Sequence, residues 1–386
     1  MKEITILHVF PDEKFFDSSY YAFESLKGVK NLFYLYQSQN DYKFKFIKNT
    51  DKVTIYNNKQ EYIKLFSDVN IDIILFHSLR SSQLEYFKYI DKQKKVIWWS
   101  WGGDIYNNIF NYVKPLIQWN LYKPITSNYM KEHCGEPLKA RTHIRLWLRH
   151  LKHKYELRRI INRIDLFIPC MSYDYKLLKE KCKWFRADYL PFPRTKSTFE
   201  FVHHNTPKDI LIGNSLTYTN NHLDIFDRIC DFRLSDNRKY IIPISYGWGN
   251  AFANNPENLI SISKLKTEST IWIRKYIDRH EYFEMFSGIS HAIFGVMRQQ
   301  ALANIYRCLL NGIKLYLYKD SIVAQQLRED GYIFYTIDED LTEDSLSKCL
   351  SYEEALHNYN LIIKLDYGES IPFVENKRND TMILKK

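Results

Sequence analysis

Short apolar runs alternate with helix-like segments along the chain, and after residue 207 the alternation starts again. In the first half the apolar runs are Ile4–Phe10, Leu32–Tyr36, Val53–Tyr56, Ile71–His77, Val96–Trp101 and Leu166–Cys170. Gln60–Asp68, Ser82–Lys92 and Tyr173–Lys183 have helical character between them. A strand that must return parallel to its neighbour needs a crossover, and a helix usually supplies it. The pattern therefore predicts a parallel sheet covered by helices. In the second half the expected strands are Asp209–Ser215, Tyr240–Ser245, Thr270–Arg274, Ala292–Met297, Ile313–Tyr318 and Tyr332–Ile337. Helices are expected at Asn221–Phe232, Asn255–Leu265, Glu281–Phe286, Ala301–Leu310 and Ser321–Arg328. Pro191, Pro193 and Pro207 sit in the polar stretch that separates the halves. The expectation is an α/β protein of two Rossmann-like domains, residues 1–195 and 208–386, joined by a linker at 196–207.

Composition narrows the partners. The chain has 386 residues and a net charge of +10, from 55 basic and 45 acidic side chains. A basic surface suits anions such as phosphorylated substrates or anionic lipids. No nucleic-acid module is recognisable, so nucleic acid is not an expected partner. The 6 cysteines are scattered without a C-x-x-C pair, which argues against a disulfide framework or a zinc site. The first residues read as a strand rather than a signal peptide, and no apolar run approaches the roughly 20 residues of a membrane span. A cytoplasmic protein is expected. From Leu138 to Ile164 there are nine Lys/Arg and one acid, with apolar residues near helical spacing. This segment reads either as a helix on the inner membrane face or as a domain helix with a solvated basic side.

The most telling chemical feature is Ala292-Ile293-Phe294-Gly295-Val296-Met297-Arg298-Gln299-Gln300. A strand-like run ends in one cation and two amides just before a helix. In open α/β sheets, anions bind where a strand's carboxyl end meets a helix's amino end. Arg298 adds a planar fork for phosphate oxygens. Gly213-Asn214-Ser215 ends the first strand of that half, and His222 opens the next helix. Tyr246 follows another strand and can stack on a base or bond a phosphate. Each feature alone also fits an ordinary turn or packing residue; three strand ends on one crevice make a donor site. In the first half, Asp104 follows Trp101-Gly102-Gly103, His77 ends a strand and His8 lies near the end of the first. They are the candidates for deprotonating an acceptor hydroxyl, Asp104 first, each with a structural reading beside it. There is no G-x-G-x-x-G, P-loop or hydrolase elbow. Asp338-Glu339-Asp340 matches a D-x-D metal pattern but reads as a solvated loop, so neither metal nor cofactor is expected.

These residues resemble glycosyltransferase family 56, the bacterial 4-acetamido-4,6-dideoxygalactose (Fuc4NAc) transferases of enterobacterial common antigen synthesis. The resemblance rests on His8, Phe76-His77, Trp101 to Tyr106, Phe192-Pro193, Ile210 to Ser215, Asn220 with His222, Pro243 with Tyr246, and Arg298-Gln299-Gln300 followed by Gly312. It implies a GT-B architecture of two facing domains, with the nucleotide on the second and the acceptor on the first. It also implies a dTDP-linked sugar donor and a saccharide acceptor on undecaprenyl diphosphate. The chain departs from the family pattern at Ala301-Leu302-Ala303 and after Tyr246, in Gly247-Trp248-Gly249, both in the donor region. A UDP- or GDP-sugar transferase and a nucleotide-sugar epimerase of the same fold are the competing readings, with a non-enzymatic basic binder behind them.

Overall fold

The computed structural model describes residues 3–13, 16–24, 26, 28–38, 42–44, 47–106, 116–133, 156–191, 200–234, 238–247, 256–366, 373–374 and 383–384. The chain divides into two compact units. The first comprises Met1–Gln118, Leu138–Lys196 and Glu369–Lys386; the second comprises Trp119–Pro137 and Ser197–Gly368.

The first unit is built on seven strands: β1 (Ile4–Phe10), β2 (Val29–Tyr36), β3 (Thr54–Tyr56), β4 (Ile73–His77), β5 (Lys95–Trp99), β6 (Leu166–Ile168) and β7 (Asp188–Tyr189). Their order is β3-β2-β1-β4-β5-β6-β7, and every pair is parallel. Parallel strands covered on both faces read as continuous apolar runs. β4 follows that rule with Ile73, Ile74, Leu75 and Phe76 all buried. From Ile6 to Phe10, β1 is likewise buried throughout, with His8 among its apolar residues. Helix α1 (Phe16–Glu24) follows β1, and the short helix α2 (Gly103–Tyr106) follows β5.

The second unit holds β8 (Asp209–Ile212), β9 (Tyr240–Pro243), β10 (Thr270–Ile273), β11 (Ile289–Phe294), β12 (Lys314–Leu317) and β13 (Tyr335–Thr336). The order is β10-β9-β8-β11-β12-β13, again wholly parallel. Three helices of this unit matter below: α3 (Pro124–His133), α4 (His222–Ile229) after β8, and α5 (Leu302–Leu310) after β11. In each sheet the strand order reverses beside the first strand, at β1/β4 and at β8/β11. That is the doubly wound topology, whose ligand position lies outside the carboxyl ends at the switch point.

Several expected boundaries moved. β11 begins at Ile289 rather than Ala292. Ser290 and His291 interrupt the apolar run, but each is buried with partners: Lys208 N–H donates to Ser290 Oγ (2.6 Å), and His291 Nδ1 lies 2.8 Å from the same hydroxyl. β11 also ends at Phe294, so Arg298 lies in a loop beyond the strand. β7 was not anticipated, and β13 is shorter than the run Tyr332–Ile337. Of the basic segment 138–164, residues 138–155 lie outside the described residues, and 156–161 are helical. Part of the expected linker, 196–199, and the Trp248-Gly249 pair also lie outside them.

The segment Trp119–Pro137 packs on the second unit although it precedes that unit's sheet in sequence. Asp224 on α4 accepts the backbone N–H groups of Ile125 and Thr126 and the Thr126 hydroxyl, so a carboxylate from another helix caps α3. Lys123 lies over the Tyr318 ring at 4.1 Å and pairs with Asp320 at 3.2 Å. Trp119, Tyr122, Tyr129 and Met130 lie against the unit's core.

Candidate active site

At the second unit's switch point, Gly213 leaves β8 with φ +66°. A Cβ there would stand 2.6 Å from His222 Nε2, so this turn requires glycine on both conformational and steric grounds. Asn220 organises the loop. Its Oδ1 accepts from Asn214 N–H at 3.2 Å, and its Nδ2 donates to the Ser215 carbonyl and hydroxyl, both at 2.9 Å. Asn221 follows in the left-handed region (φ +51°). Its side chain donates to the Gly295 carbonyl at 2.6 Å and accepts Lys123 N–H at 2.8 Å. The β8–α4 and β11–α5 loops are thus tied to each other and to the 119–137 segment. Contact is close enough that a Cβ on Gly295 would meet the Asn220 carbonyl oxygen at 2.3 Å.

The two helices that leave this point share one property. Asn221 precedes α4 and Ala301 precedes α5, both at positive φ, and neither side chain caps its helix. The first N–H groups of a helix have no partner within it. Two helix heads without side-chain caps therefore stand at the switch point. Arg298 is half-buried between β11 and α5, and its Nη1 donates to the Gln299 carbonyl at 2.6 Å. Gln299 is buried and its Oε1 has no hydrogen-bond partner. Gln300 reaches the neighbouring loop: Thr219 donates to its Oε1 at 2.7 Å, and its Nε2 donates to Asn214 Oδ1 at 3.3 Å. Asn214 in turn donates to the Tyr246 hydroxyl at 2.8 Å. The structure therefore joins Asn214, Tyr246 and Gln300 in one network. His222 is buried, its Nε2 has no partner, and burial pushes its pKa down to about 4. Burial thus favours its neutral form.

In the first unit the three proton-transfer candidates are all built into the protein. His8 and His77 face each other across the β1/β4 switch, with His8 Nδ1 2.9 Å from His77 Nε2. Asn31 Nδ2 donates to the Phe23 carbonyl, so its Oδ1 faces His8 Nε2 as acceptor, 3.0 Å away. One arrangement of protons satisfies the row. Ser19 donates to His77 Nδ1 (3.4 Å), His77 Nε2–H to His8 Nδ1, and His8 Nε2–H to Asn31. Burial lowers the His8 pKa to about 3 and holds His77 well below its ordinary value. Neither ring has exposed surface.

Asp104 is 4% exposed and accepts four hydrogen bonds. Leu79 N–H and Trp98 Nε1 reach Oδ2 at 3.0 and 2.7 Å, while the Ser100 hydroxyl and Trp101 N–H reach Oδ1 at 2.8 and 3.1 Å. Burial raises its pKa against the pull of these donors. This carboxylate ties the ends of β4 and β5 together. Sequence reasoning saw its place after a strand but not its partners. It passed over Thr217 and Thr219, and marked Asn220 and Asn221 only as the opening of the next helix, Asn220 also through the resemblance. It also passed over Glu13, buried beyond the end of β1 with the Tyr42 hydroxyl donating to it at 2.8 Å.

The Asp338–Asp340 run serves backbone geometry: Asp338 accepts Lys319 N–H, and Asp340 accepts the amide and hydroxyl of Thr336. Among the described residues, no cluster of three or more His, Cys, Asp or Glu is arranged to hold a metal. No helix among them is long and apolar enough to cross a membrane.

No curated protein sequence matches the chain. Solved structures do match over nearly its whole length. The N-terminal domain of trehalose-6-phosphate phosphatase from Candida albicans aligns with a TM-score of 0.59 at 10% identity, covering 94% of this chain and 92% of that one. A UDP-forming α,α-trehalose-phosphate synthase from Burkholderia xenovorans gives 0.57 at 8% identity, covering 95% of each chain. The Anabaena protein HepE, solved with UDP and glucose, gives 0.56 at 9% identity, covering 94% of each. At such identities the likeness speaks for the fold, which is GT-B. The family model for 4-alpha-L-fucosyltransferase, glycosyl transferase group 56, matches residues 147–357. That is more than half of the chain, and it includes β8, β11 and the loops that follow them: the chain belongs to glycosyl transferase group 56 and is a nucleotide-sugar glycosyltransferase.

Proposed function

We propose that the second unit binds the diphosphate of a dTDP-linked 4-acetamido-4,6-dideoxyhexose at the β8/β11 switch point, and that the first unit presents a lipid-linked saccharide as acceptor. The observation that carries this reading is the pair of helix heads, α4 and α5, that lack side-chain caps, with Arg298 just ahead of α5. An anion satisfies such N–H groups and interacts favourably with both helix dipoles. As the glycosidic bond breaks, negative charge grows on the departing diphosphate. Donors already aimed at that position lower the barrier most. Arg298 exchanges its contact with the Gln299 carbonyl for phosphate oxygens, and the α5 N–H groups meet the same charge. Gly213 allows the backbone of Asn214 and Ser215 to approach the phosphates, and Tyr246 lies against the nucleotide.

His8, His77 and Asp104 act as scaffold in this scheme, fixing the ends of β1, β4 and β5 where the acceptor is received. The acceptor class, a saccharide on undecaprenyl diphosphate, is supported by the family resemblance. The basic segment 138–164 supports contact with an anionic membrane surface on the cytoplasmic face.

Two measurements test the reading. A thermal-shift panel of dTDP, UDP and GDP should show one nucleotide stabilising the protein by a few kcal/mol when well above its dissociation constant. Arg298→Ala should reduce turnover by about 100-fold, the scale of losing one preorganised transition-state donor. Protection by none of the three nucleotides, or an Arg298→Ala enzyme with full turnover and donor affinity, removes the proposal.

A further inference from the structure

Around the Gly213–Ser215 turn, side-chain hydrogen bonds form one continuous chain from Ser215 to Tyr246, and the direction of each one follows from the last. Thr219 donates to Gln300 Oε1 at 2.7 Å. With its single proton spent there, Thr219 accepts from Thr217, 3.2 Å away. Thr217, having given its proton to Thr219, accepts from Ser215 at 3.0 Å. On the other side Gln300 Nε2 donates to Asn214 Oδ1, and Asn214 Nδ2 donates to the Tyr246 hydroxyl. Each bond therefore runs in the same direction along the chain, and each donor polarises the next. Asn220 braces the chain from beneath, donating to Ser215 Oγ at 2.9 Å and Thr217 Oγ1 at 3.0 Å.

The chain of hydrogen bonds draws on three separate loops. Ser215, Thr217 and Thr219 come from the loop after β8, Tyr246 follows β9, and Gln300 lies 81 residues beyond Thr219 in the loop after β11. Local turn formation explains bonds within the first loop, but not why Thr219 spends its proton on Gln300. These bonds engage both ends of the Gln300 amide, so Gln300 shapes the site rather than offering its amide to a ligand.

We infer that Thr217 and Thr219 are positioning residues of the donor site, holding Tyr246 and Gln300 in one orientation before the nucleotide sugar arrives. The inference rests on the proposed placement of the donor at the β8/β11 switch.

The test is a double-mutant cycle read by calorimetric titration with the nucleoside diphosphate, of dTDP, UDP and GDP, that protects the wild type. Thr219→Val removes the hydroxyl at constant shape, and Tyr246→Phe removes the acceptor at the far end of the chain. Each single change should weaken binding by about tenfold, the upper range for one neutral hydrogen bond. The double variant should be little worse than either single, because both changes break one connected chain through Gln300 and Asn214. Thr219→Ser should recover most of the affinity, and melting temperatures without ligand report whether each variant is folded. Thr219→Ser and Tyr246→Phe keep the question open to measurement even if Thr219→Val does not fold. Losses that multiply to about a hundredfold in the double variant, or unchanged affinity in Thr219→Val, overturn the inference while leaving the donor placement intact. Absence of nucleotide binding by the wild type overturns both.

Discussion

At the scale of single residues, the donor loops depend on two glycines for different reasons. Gly213 supplies a left-handed backbone beneath His222, whereas Gly295 supplies empty space against the Asn220 carbonyl oxygen. A backbone oxygen held between β8 and α4 cannot retreat as a flexible side chain can. Gly295→Ala should therefore destabilise the protein by roughly 3 kcal/mol, the upper end for forced overpacking, and weaken nucleotide binding with it. Gly288→Ala is the control, because a Cβ there meets nothing within 4 Å, and it should stay within about 0.5 kcal/mol of the parent. Urea denaturation midpoints decide the pair; equal midpoints for the two variants dispose of the steric argument. The same contrast shows what a sequence can convey about a site. Strand ends are legible because apolar runs stop there, so Gly213, Tyr246 and Gln300 were recognisable as neighbours of a sheet edge. What occupies a side chain's hydrogen-bonding atoms is not legible. Asp104 was marked as a base for its position, but its four donors come from Leu79, Trp98, Ser100 and Trp101, and no spacing rule foretells that gathering.

At the scale of elements, the two sheets were readable and α3 was not. Parallel strands covered on both faces leave a strong record of Ile, Val and Leu, and alternation with helices marks the crossovers. Helix α3 carries no comparable mark of its destination. Its anchor, Asp224, lies 98 residues from Thr126, and neither residue is unusual in its own surroundings. The anchor nonetheless replaces an N-cap: three donors at the start of α3 converge on one carboxylate. Asp224→Ala should cost about 1–2 kcal/mol, the range for losing a helix cap. The loss should be felt first as release of the 119–137 segment, seen as faster amide exchange at Ile125 and Thr126 with protection of β8 and β11 retained. Uniform loss of protection across the unit, or none at all, speaks against a local cap.

At the scale of the whole molecule, buried neutral histidines make acid the natural stress. His8, His77, His222 and His291 all have depressed pKa values, with burial as the leading cause: about 3 for His8 and His291, and about 4 for His222. Unfolded, each would titrate near 6.5. Below that pH the unfolded chain takes up protons that the folded protein refuses, so stability falls as pH drops from about 6.5 towards 4. The slope approaches about 1.4 kcal/mol per pH unit for each such histidine, and several kcal/mol should disappear between pH 7 and 5. Asp104, with its raised pKa, works in the opposite direction but is one group. Urea midpoints at the two pH values measure the effect; an equal or higher midpoint at pH 5 contradicts it. The placement of α3 also sets a clock on biosynthesis. Thr126 leaves the ribosome 98 residues ahead of Asp224, an interval of roughly 5–20 s at about 5–20 residues per second. Throughout that wait Trp119, Tyr122, Tyr129 and Met130 have no core to lie against. The nascent chain thus passes through a stage in which its first sheet can be complete while a sticky aromatic segment hangs from it, a natural point of engagement for a chaperone.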